Sequence, residues 1–158
     1  MEKPIKILFV CMGNICRSPS AEAVMKSYIS KHNLSDKIIC DSAGTISAHA
    51  GEPADLRMQK HANKRGYDLT SISRQITIND FEEFDYIIAM DDDNIADIRS
   101  FMPDMSLNHK ISKMTDYCSK DNPGYVPDPY YGGDAGFEQV LDLLEDACSG
   151  LLDKVKPV

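Results

Sequence analysis

The segment from Cys11 to Ser18 brings together a thiol, a glycine, a guanidinium and a hydroxyl. A loop that leads into a helix turns backbone N–H groups inward and adds the positive end of the helix dipole, which suits an oxyanion. The same field favours the thiolate form of Cys11 near neutral pH. Arg17 offers a planar fork to two phosphate oxygens, and Ser18 can donate a hydrogen bond to the sulfur. The segment therefore indicates attack of a thiolate on phosphorus.

The elements on either side are suited to hold this loop. The apolar run from Ile5 to Val10 predicts a buried strand, and Ser18 followed by Pro19 predicts a helix start with the serine as N-cap. Gly13 permits a tight turn, and Asn14 tolerates a left-handed backbone. Such a strand–loop–helix junction is typical of a site for a tetrahedral oxyanion.

The rest of the chain continues the same alternation. We expect further strands over 37–42, 84–90 and 110–114, and helices over 55–64, 92–100 and about 136–154. Strand–helix alternation predicts an α/β fold with a parallel sheet, whose ligands bind beyond the carboxyl ends of the strands. The length of 158 residues fits one domain, residues 1–158.

Composition argues against several classes of protein. The chain has a formal net charge of −8, whereas proteins that bind nucleic acids or anionic membranes usually carry an excess of basic residues. The apolar stretch 7–12 is too short for a signal sequence or a membrane span. Five cysteines without a Cys-x-x-Cys pair favour reduced thiols, and the histidine spacing argues against structural zinc. We expect a soluble cytoplasmic protein that binds neither nucleic acid nor membrane.

Other interpretations of the Cys11 loop are weaker. Gly13 is the only glycine in it, so the glycine patterns of nucleotide-binding loops are absent. Cys11 and Cys16 could instead be small buried residues of an ordinary turn. The strand before the loop and the helix start after it favour the catalytic interpretation.

Five motifs resemble, in order, those of the low-molecular-weight protein tyrosine phosphatase family. They are Val10-Cys11-Met12-Gly13-Asn14-Ile15-Cys16-Arg17-Ser18-Pro19-Ser20-Ala21-Glu22, Asp41-Ser42-Ala43-Gly44-Thr45, Ser73-Arg74-Gln75, Phe84-Asp85-Tyr86-Ile87 followed by Met90-Asp91, and Asp128-Pro129-Tyr130-Tyr131-Gly132. The first and last are specific, and the resemblance spans nearly the whole chain. It implies a four-stranded parallel sheet flanked by helices, a phosphate loop between the first strand and the first helix, and no metal or cofactor.

The resemblance also implies an activity, the hydrolysis of phosphotyrosine in proteins, or of small aryl phosphates, through a cysteinyl phosphate. Cys11 is then the nucleophile, Arg17 the phosphate clamp and Asp128 the general acid and later base. A leaving phenol with a pKa of about 10 benefits from such a proton donor. Pro127 and Pro129 stiffen the loop that carries Asp128. Taken alone, Asp128 could equally cap a turn.

Supporting roles follow from the same resemblance. Ser18 stabilises the leaving thiolate, and Asn14 organises the loop, partly through Ser42. The residues expected to bind substrate or phosphate are Met12, Gly13, Asn14, Ile15, Cys16, Ser18, Tyr130 and Tyr131. Ile15 favours an aryl phosphate, because related arginine phosphatases carry Thr there.

Other positions leave alternatives open. Cys16 either packs under the loop or captures oxidised Cys11 as a disulfide. Many family members carry a histidine at the position of Ser71 and an aromatic residue near Ala48 and His49, so loop support and peptide preference could differ here. We interpret His49 as an exposed rim residue. The run Asp91-Asp92-Asp93 is interpreted as a solvated helix start rather than a Mg²⁺ site.

Two competing functions share the expected loop. Arsenate reduction needs further redox cysteines, and Cys118 and Cys148 are not closely paired in the sequence. A non-catalytic phosphate-binding module has no need of Asp128. We expect a phosphatase that is a monomer or a weak dimer.

Overall fold

The computed structural model describes residues 3–120, 122–130 and 132–157. In them, four strands form one parallel sheet with the order β2-β1-β3-β4. The strands are β1 Ile5–Cys11, β2 Ile38–Gly44, β3 Tyr86–Ala89 and β4 Ile111–Lys113. This confirms the expected four-stranded parallel sheet.

Five α-helices flank the sheet in the described residues. They are α1 Arg17–Lys31, α2 Leu56–Lys64, α3 Ile78–Glu83, α4 Asp92–Phe101 and α5 Asp134–Val155, and two 3-10 helices span Met105–Lys110 and Met114–Tyr117. Sequence reasoning missed α3 and the 3-10 helices. The short α3 is held by a capping box between Thr77 and Asp80. No helix in the described part of the chain has both the length and the apolar character needed to cross a bilayer.

The central strand β1 explains why its apolar run is continuous. Ile7 and Phe9 pack into one hydrophobic cluster, against α1 and α5, and Leu8 and Val10 pack into a second cluster on the other face of the sheet. All four side chains have no solvent exposure. A parallel strand covered on both faces has a nearly continuous apolar sequence, here from Ile7 onward. Cys11, at its carboxyl end, is therefore held on a rigid base.

Helix α1 begins one residue before the predicted N-cap. Arg17 is its first residue and Cys16 its N-cap, so the expectation that Ser18 caps the helix is wrong. The Ser18 hydroxyl instead contacts the Cys11 sulfur and the Asn14 side chain. Pro19 still lies in the first turn, where a missing backbone N–H has no helical partner to lose.

Candidate active site

The Cys11 sulfur lies at the base of the loop between β1 and α1. Ser18 Oγ stands 3.0 Å from it, and the backbone N–H of Asn14 donates to it over 3.3 Å. Although Cys11 is only 2 % exposed, it lines a pocket of about 160 Å³ that opens to solvent. The thiol can therefore be reached from solvent through this pocket.

Asn14 fixes the conformation of the loop through its backbone and its side-chain hydrogen bonds. Its backbone is left-handed, with φ at 57°. Its side-chain Nδ2 donates to Ser18 Oγ over 2.7 Å, and its Oδ1 accepts from the Arg74 backbone N–H over 3.0 Å. Because Ser18 Oγ accepts this bond, its own hydrogen is left for the Cys11 sulfur at 3.0 Å or for the Ala43 carbonyl at 3.4 Å.

The expected support of Asn14 by Ser42 is wrong. Ser42 Oγ donates to Glu22 Oε1 over 2.6 Å, and Lys26 binds the other oxygen of this buried carboxylate. In the described residues the side-chain partners of Asn14 are Ser18 and Arg74. Ser42 therefore joins β2 to α1 beneath the loop without touching Asn14.

Four carbonyl groups of the loop are held by hydrogen bonds from residues outside it. Each accepts an outward hydrogen bond: Cys11 from Thr45 N at 2.9 Å, Met12 from Ile46 N at 3.1 Å, Gly13 from Ser73 Oγ at 3.0 Å and Ile15 from Asp55 N at 2.9 Å. In a trans peptide the following N–H points the opposite way, so these bonds turn the next amides inward. The observed Asn14 N–H to sulfur bond is one of them. The hydroxyl that supports the loop comes from Ser73, two positions after Ser71.

Gly44 allows β2 to approach the loop closely. A Cβ at this position would lie 2.6 Å from the Met12 carbonyl oxygen, a distance that backbone atoms could not accommodate without moving. The backbone of Gly44 is also fixed by bonds to Arg74 and Ile76. The end of β2 thus forms a wall directly against the loop.

Arg17 is buried and lies between two carboxylates. Its Nη1 donates to Asp91 Oδ2 over 2.6 Å and to the Val126 carbonyl over 3.2 Å, and its Nη2 is 3.7 Å from Asp128 Oδ2. Burial by itself lowers the pKa of Arg17, but the negative charges of Cys11, Asp91 and Asp128 outweigh it, and the pKa is raised. The guanidinium is therefore a fixed cation beside the sulfur.

Asp91 contacts Arg17, which the sequence analysis did not predict. It does cap α4, accepting from the Asn94 backbone N–H over 2.7 Å. Its second oxygen, however, binds Arg17, so Asp91 is not simply part of a solvated helix start. Within the residues described, no group of three or more His, Cys, Asp or Glu side chains is arranged to hold a metal ion.

Asp128 lines the same pocket as Cys11, from a different segment of the chain. Its Oδ1 accepts from the Tyr130 backbone N–H over 3.0 Å, so the turn that sequence alone suggested is present. Its Oδ2 faces Arg17. Asp128 is about one third exposed, which leaves this oxygen accessible from the pocket.

The walls of the pocket combine predicted and unpredicted residues. They are Cys11, Met12, Gly13, Ile15, Cys16, Arg17, Ile46, His49, Asp128 and Tyr130. Ile46 was not expected. His49 lines the pocket but is half-buried rather than exposed as expected, and its Nδ1 contacts Glu52 over 3.1 Å. The buried Asn14 and Ser18 do not line the pocket, and Tyr131 falls outside the described residues.

Cys16 lines the pocket beside Cys11. Burial raises the pKa of the Cys16 thiol, and the nearby Asp55 carboxylate adds to this. The two cysteines of the loop therefore differ: one has hydrogen-bond donors directed at its sulfur, and the other is held as a neutral thiol.

Comparison with known proteins agrees with this geometry. Residues 6–157 match the family described as "Low molecular weight phosphotyrosine protein phosphatase". A curated relative named as a putative low molecular weight protein-tyrosine-phosphatase from Synechocystis is 52% identical and aligns over 94% of each chain. A low molecular weight protein-tyrosine-phosphatase from Bacillus subtilis is 40% identical over 96% of each chain. The crystal structure of a protein tyrosine phosphatase from Entamoeba histolytica superposes with a TM-score of 0.93, at 53% identity, covering 96% of this chain and 97% of that one.

Proposed function

Because the chain belongs to the low molecular weight phosphotyrosine protein phosphatase family, we propose that it hydrolyses phosphotyrosine in proteins, and small aryl phosphates, through a cysteinyl phosphate on Cys11. The observation that carries the proposal is the position of the Cys11 sulfur. It lies at the base of a pocket where Ser18 and the Asn14 amide contact it and where Arg17 and Asp128 both face inward. We further propose that residues 1–158 form a single phosphatase domain.

Substrate binding uses main-chain groups and one guanidinium. The inward amides of the loop and Arg17 together form a cup for the phosphate dianion. The aromatic ring of the substrate extends outward, along the apolar surfaces of Met12, Ile15 and Tyr130. This arrangement supports an aryl phosphate, in line with the preference inferred from Ile15.

In the first chemical step, the Cys11 thiolate attacks phosphorus and the bond to the aryl oxygen breaks. Asp128 gives its proton to that oxygen, so that a neutral phenol leaves. This step requires Asp128 to carry its proton when the substrate binds. The product of this step is a phosphocysteine and an ionised Asp128.

In the second step, water attacks the phosphocysteine and the sulfur–phosphorus bond breaks. Asp128 now takes the proton from that water and returns to its starting state. Cys11 leaves as a thiolate, which the Ser18 hydroxyl and the Asn14 amide stabilise by hydrogen bonds. Inorganic phosphate then leaves the cup.

The test combines trapping with two substitutions. Acid quenching during turnover of a ³²P-labelled aryl phosphate should yield labelled protein whose label maps to Cys11. Cys11→Ser should lose turnover and labelling but still bind vanadate or phosphate, whereas Cys118→Ser, outside the pocket, should behave as the wild type. Near-normal turnover by Cys11→Ser would reject the nucleophile assignment.

Asp128→Ala tests the acid. It should slow phenyl phosphate far more than an activated ester such as 4-nitrophenyl phosphate, because the activated phenol leaves without a proton. Equal slowing of both esters would count against the acid role. If phosphate binds to a wild type that shows no turnover, the protein is a phosphate-binding module instead.

We propose a redox role for Cys16 as well. Its place in the same pocket as Cys11 supports capture of an oxidised Cys11 as a disulfide, which protects the nucleophile from irreversible oxidation. A cytoplasmic location and a monomeric or weakly dimeric state stay predictions from the sequence.

A further inference from the structure

Arg57 contacts the segment that carries Asp128. From the first turn of α2, its Nη2 donates to the Tyr130 carbonyl over 2.9 Å. Its guanidinium carbon stands 5.3 Å from the centre of the Tyr130 ring and 5.1 Å from that of Phe137 on α5. The hydrogen bond and the cation–π contact both involve Tyr130, so Arg57 contacts both the backbone and the ring of this residue.

The guanidinium is itself fixed by Asp55. The Asp55 carboxylate accepts from Arg57 Nε over 3.3 Å, from Nη2 over 3.0 Å and from the Arg57 backbone N–H over 2.8 Å. The Asp55 side chain is only 11 % exposed. A two-point contact of this kind sets the plane of the guanidinium as well as its position.

Asp55 also contacts the phosphate loop. Its backbone N–H donates to the Ile15 carbonyl over 2.9 Å. At the far end of the same connection, the Tyr130 N–H donates to Asp128 Oδ1 over 3.0 Å. A continuous series of contacts thus runs from Ile15 through Asp55, Arg57 and Tyr130 to the Asp128 carboxyl.

We propose that Arg57 is a positioning residue that sets where Asp128 stands over the phosphate loop. The inference rests on the acid role of Asp128 proposed above. Arg57 touches neither Cys11 nor the phosphate cup in the described contacts, so its effect reaches the reaction through Tyr130 and Asp128. A displacement of about 1 Å at a catalytic group can cost about 100-fold in rate, which gives such a residue a large effect without contact to the substrate.

A lysine could not replace Arg57 in this role. The ammonium is a compact point charge, whereas the planar guanidinium binds Asp55 and the Tyr130 carbonyl at once and lies over two rings. Arg57→Lys keeps the charge and the helix propensity of α2. A loss of activity in Arg57→Lys would therefore come from the changed contact geometry and not from a lost charge or an unfolded helix.

The experiment measures kcat/KM for phenyl phosphate and 4-nitrophenyl phosphate, and competitive inhibition by inorganic phosphate. Arg57→Ala and Arg57→Lys should each lower kcat/KM for phenyl phosphate by about 10- to 100-fold, which is no more than the roughly 100- to 10,000-fold that a general acid contributes. The loss for 4-nitrophenyl phosphate should be several-fold smaller, and phosphate inhibition should stay within two-fold. Lys60→Ala, which removes an exposed cation from the same helix, should match the wild type.

A double variant decides whether Arg57 acts through Asp128. Arg57→Ala combined with Asp128→Asn should be no slower than Asp128→Asn alone, since the group to be positioned is already lost. Independent, multiplicative losses would overturn the inference, and so would equal losses of the two esters in Arg57→Lys. If Asp128→Asn itself does not discriminate between the esters, the acid assignment fails and the inference falls with it. If Asp128→Asn discriminates but Arg57→Lys does not, the acid role stands and only the positioning role is rejected.

Discussion

Asp91 holds Arg17 from the side opposite Asp128. The Arg17 guanidinium donates to Asp91 over 2.6 Å with one terminal nitrogen and faces Asp128 across 3.7 Å with the other. The partner of the phosphate clamp thus comes from the start of α4, which follows β3, the neighbour of β1 in the sheet. This relationship determines which edge of the guanidinium is presented to the phosphate.

We expect Asp91→Asn to impair the clamp. A hydrogen bond to a charged group contributes about 1.5–3 kcal/mol, so its weakening should lower kcat/KM by about 10- to 100-fold. Steady-state kinetics and inhibition by phosphate measure the effect. Asp92→Asn is the matched control, because Asp92 is mostly exposed and pairs with Lys113 instead. Unchanged kinetics in Asp91→Asn would show that Arg17 needs no such partner.

We expect substitutions of Asn14 to lower activity and stability for two separable reasons. Asn14→Gly keeps the left-handed backbone accessible but removes the bonds to Ser18 and Arg74, whereas Asn14→Ala also adds strain of about 1 kcal/mol or more. Both variants should lose most activity, and Asn14→Ala should also unfold at a lower temperature than Asn14→Gly. Thermal unfolding and turnover distinguish the two effects. Full activity in Asn14→Gly would mean that the side-chain bonds are dispensable.

Mild peroxide should inactivate the wild type reversibly. The Cys11 thiolate is oxidised to a sulfenic acid, and the Cys16 thiol then condenses with it to form a disulfide and water. Because burial raises the pKa of Cys16, it should remain an unreactive thiol until Cys11 is oxidised. Dithiothreitol should restore activity to the wild type and to the buried control Cys148→Ser. It should restore Cys16→Ser less and less with continued exposure, because peroxide oxidises its sulfenic acid further to a sulfinic acid that dithiothreitol does not reduce. Peptide mass spectrometry that finds no Cys11–Cys16 bridge would reject this role.

Glu138 should make stability depend on pH. Hydrogen bonds from Arg65 and His61 hold the pKa of Glu138 below its ordinary value. A lowered pKa in the folded state means stabilisation that is present when the carboxyl is ionised and lost as pH falls through that pKa. Glu138→Gln should therefore cost up to about 1 kcal/mol of unfolding free energy at pH 7, since solvent screens this pair.

The difference between Glu138→Gln and the wild type should shrink as the pH falls from about 5 to about 3. Urea unfolding at several pH values measures it. Glu82→Gln, an exposed glutamate on α3, is the control and should show little effect at any pH. A difference that stays constant with pH would mean that Glu138 acts by packing rather than by charge.

The sheet could be predicted from local pattern, because β1 is apolar and buried from Ile7 to its end at Cys11. The start of α1 could not, because the usual capping hydroxyl of Ser18 is taken by the loop. Short elements such as α3 carried only a weak signal, a Thr-x-x-Asp capping box at Thr77. Local reasoning works where a residue's neighbours in sequence decide its environment.

The contacts that could not be predicted from the sequence join segments that are far apart along the chain. Asp91 was correctly placed at a helix start, yet its bond to Arg17 joins positions 74 residues apart. Arg57 and Tyr130 are similarly 73 residues apart. Nothing in either local segment specifies such a partner, and only the packing of α2 and α4 around the sheet brings them together.

The absence of a side chain at Gly44 has a consequence for how the chain could change in length. Because β2 runs against the Met12 carbonyl without a gap, an inserted residue between 41 and 46 would shift the wall out of register with the loop. At the exposed turn around Gly51 an added Cβ would meet nothing within 4 Å, but Gly51 has a left-handed backbone and its N–H donates to the Ser73 carbonyl over 2.9 Å. Because the Ser73 hydroxyl supports the loop, insertions that reshape the mouth of the pocket must leave this bond in place.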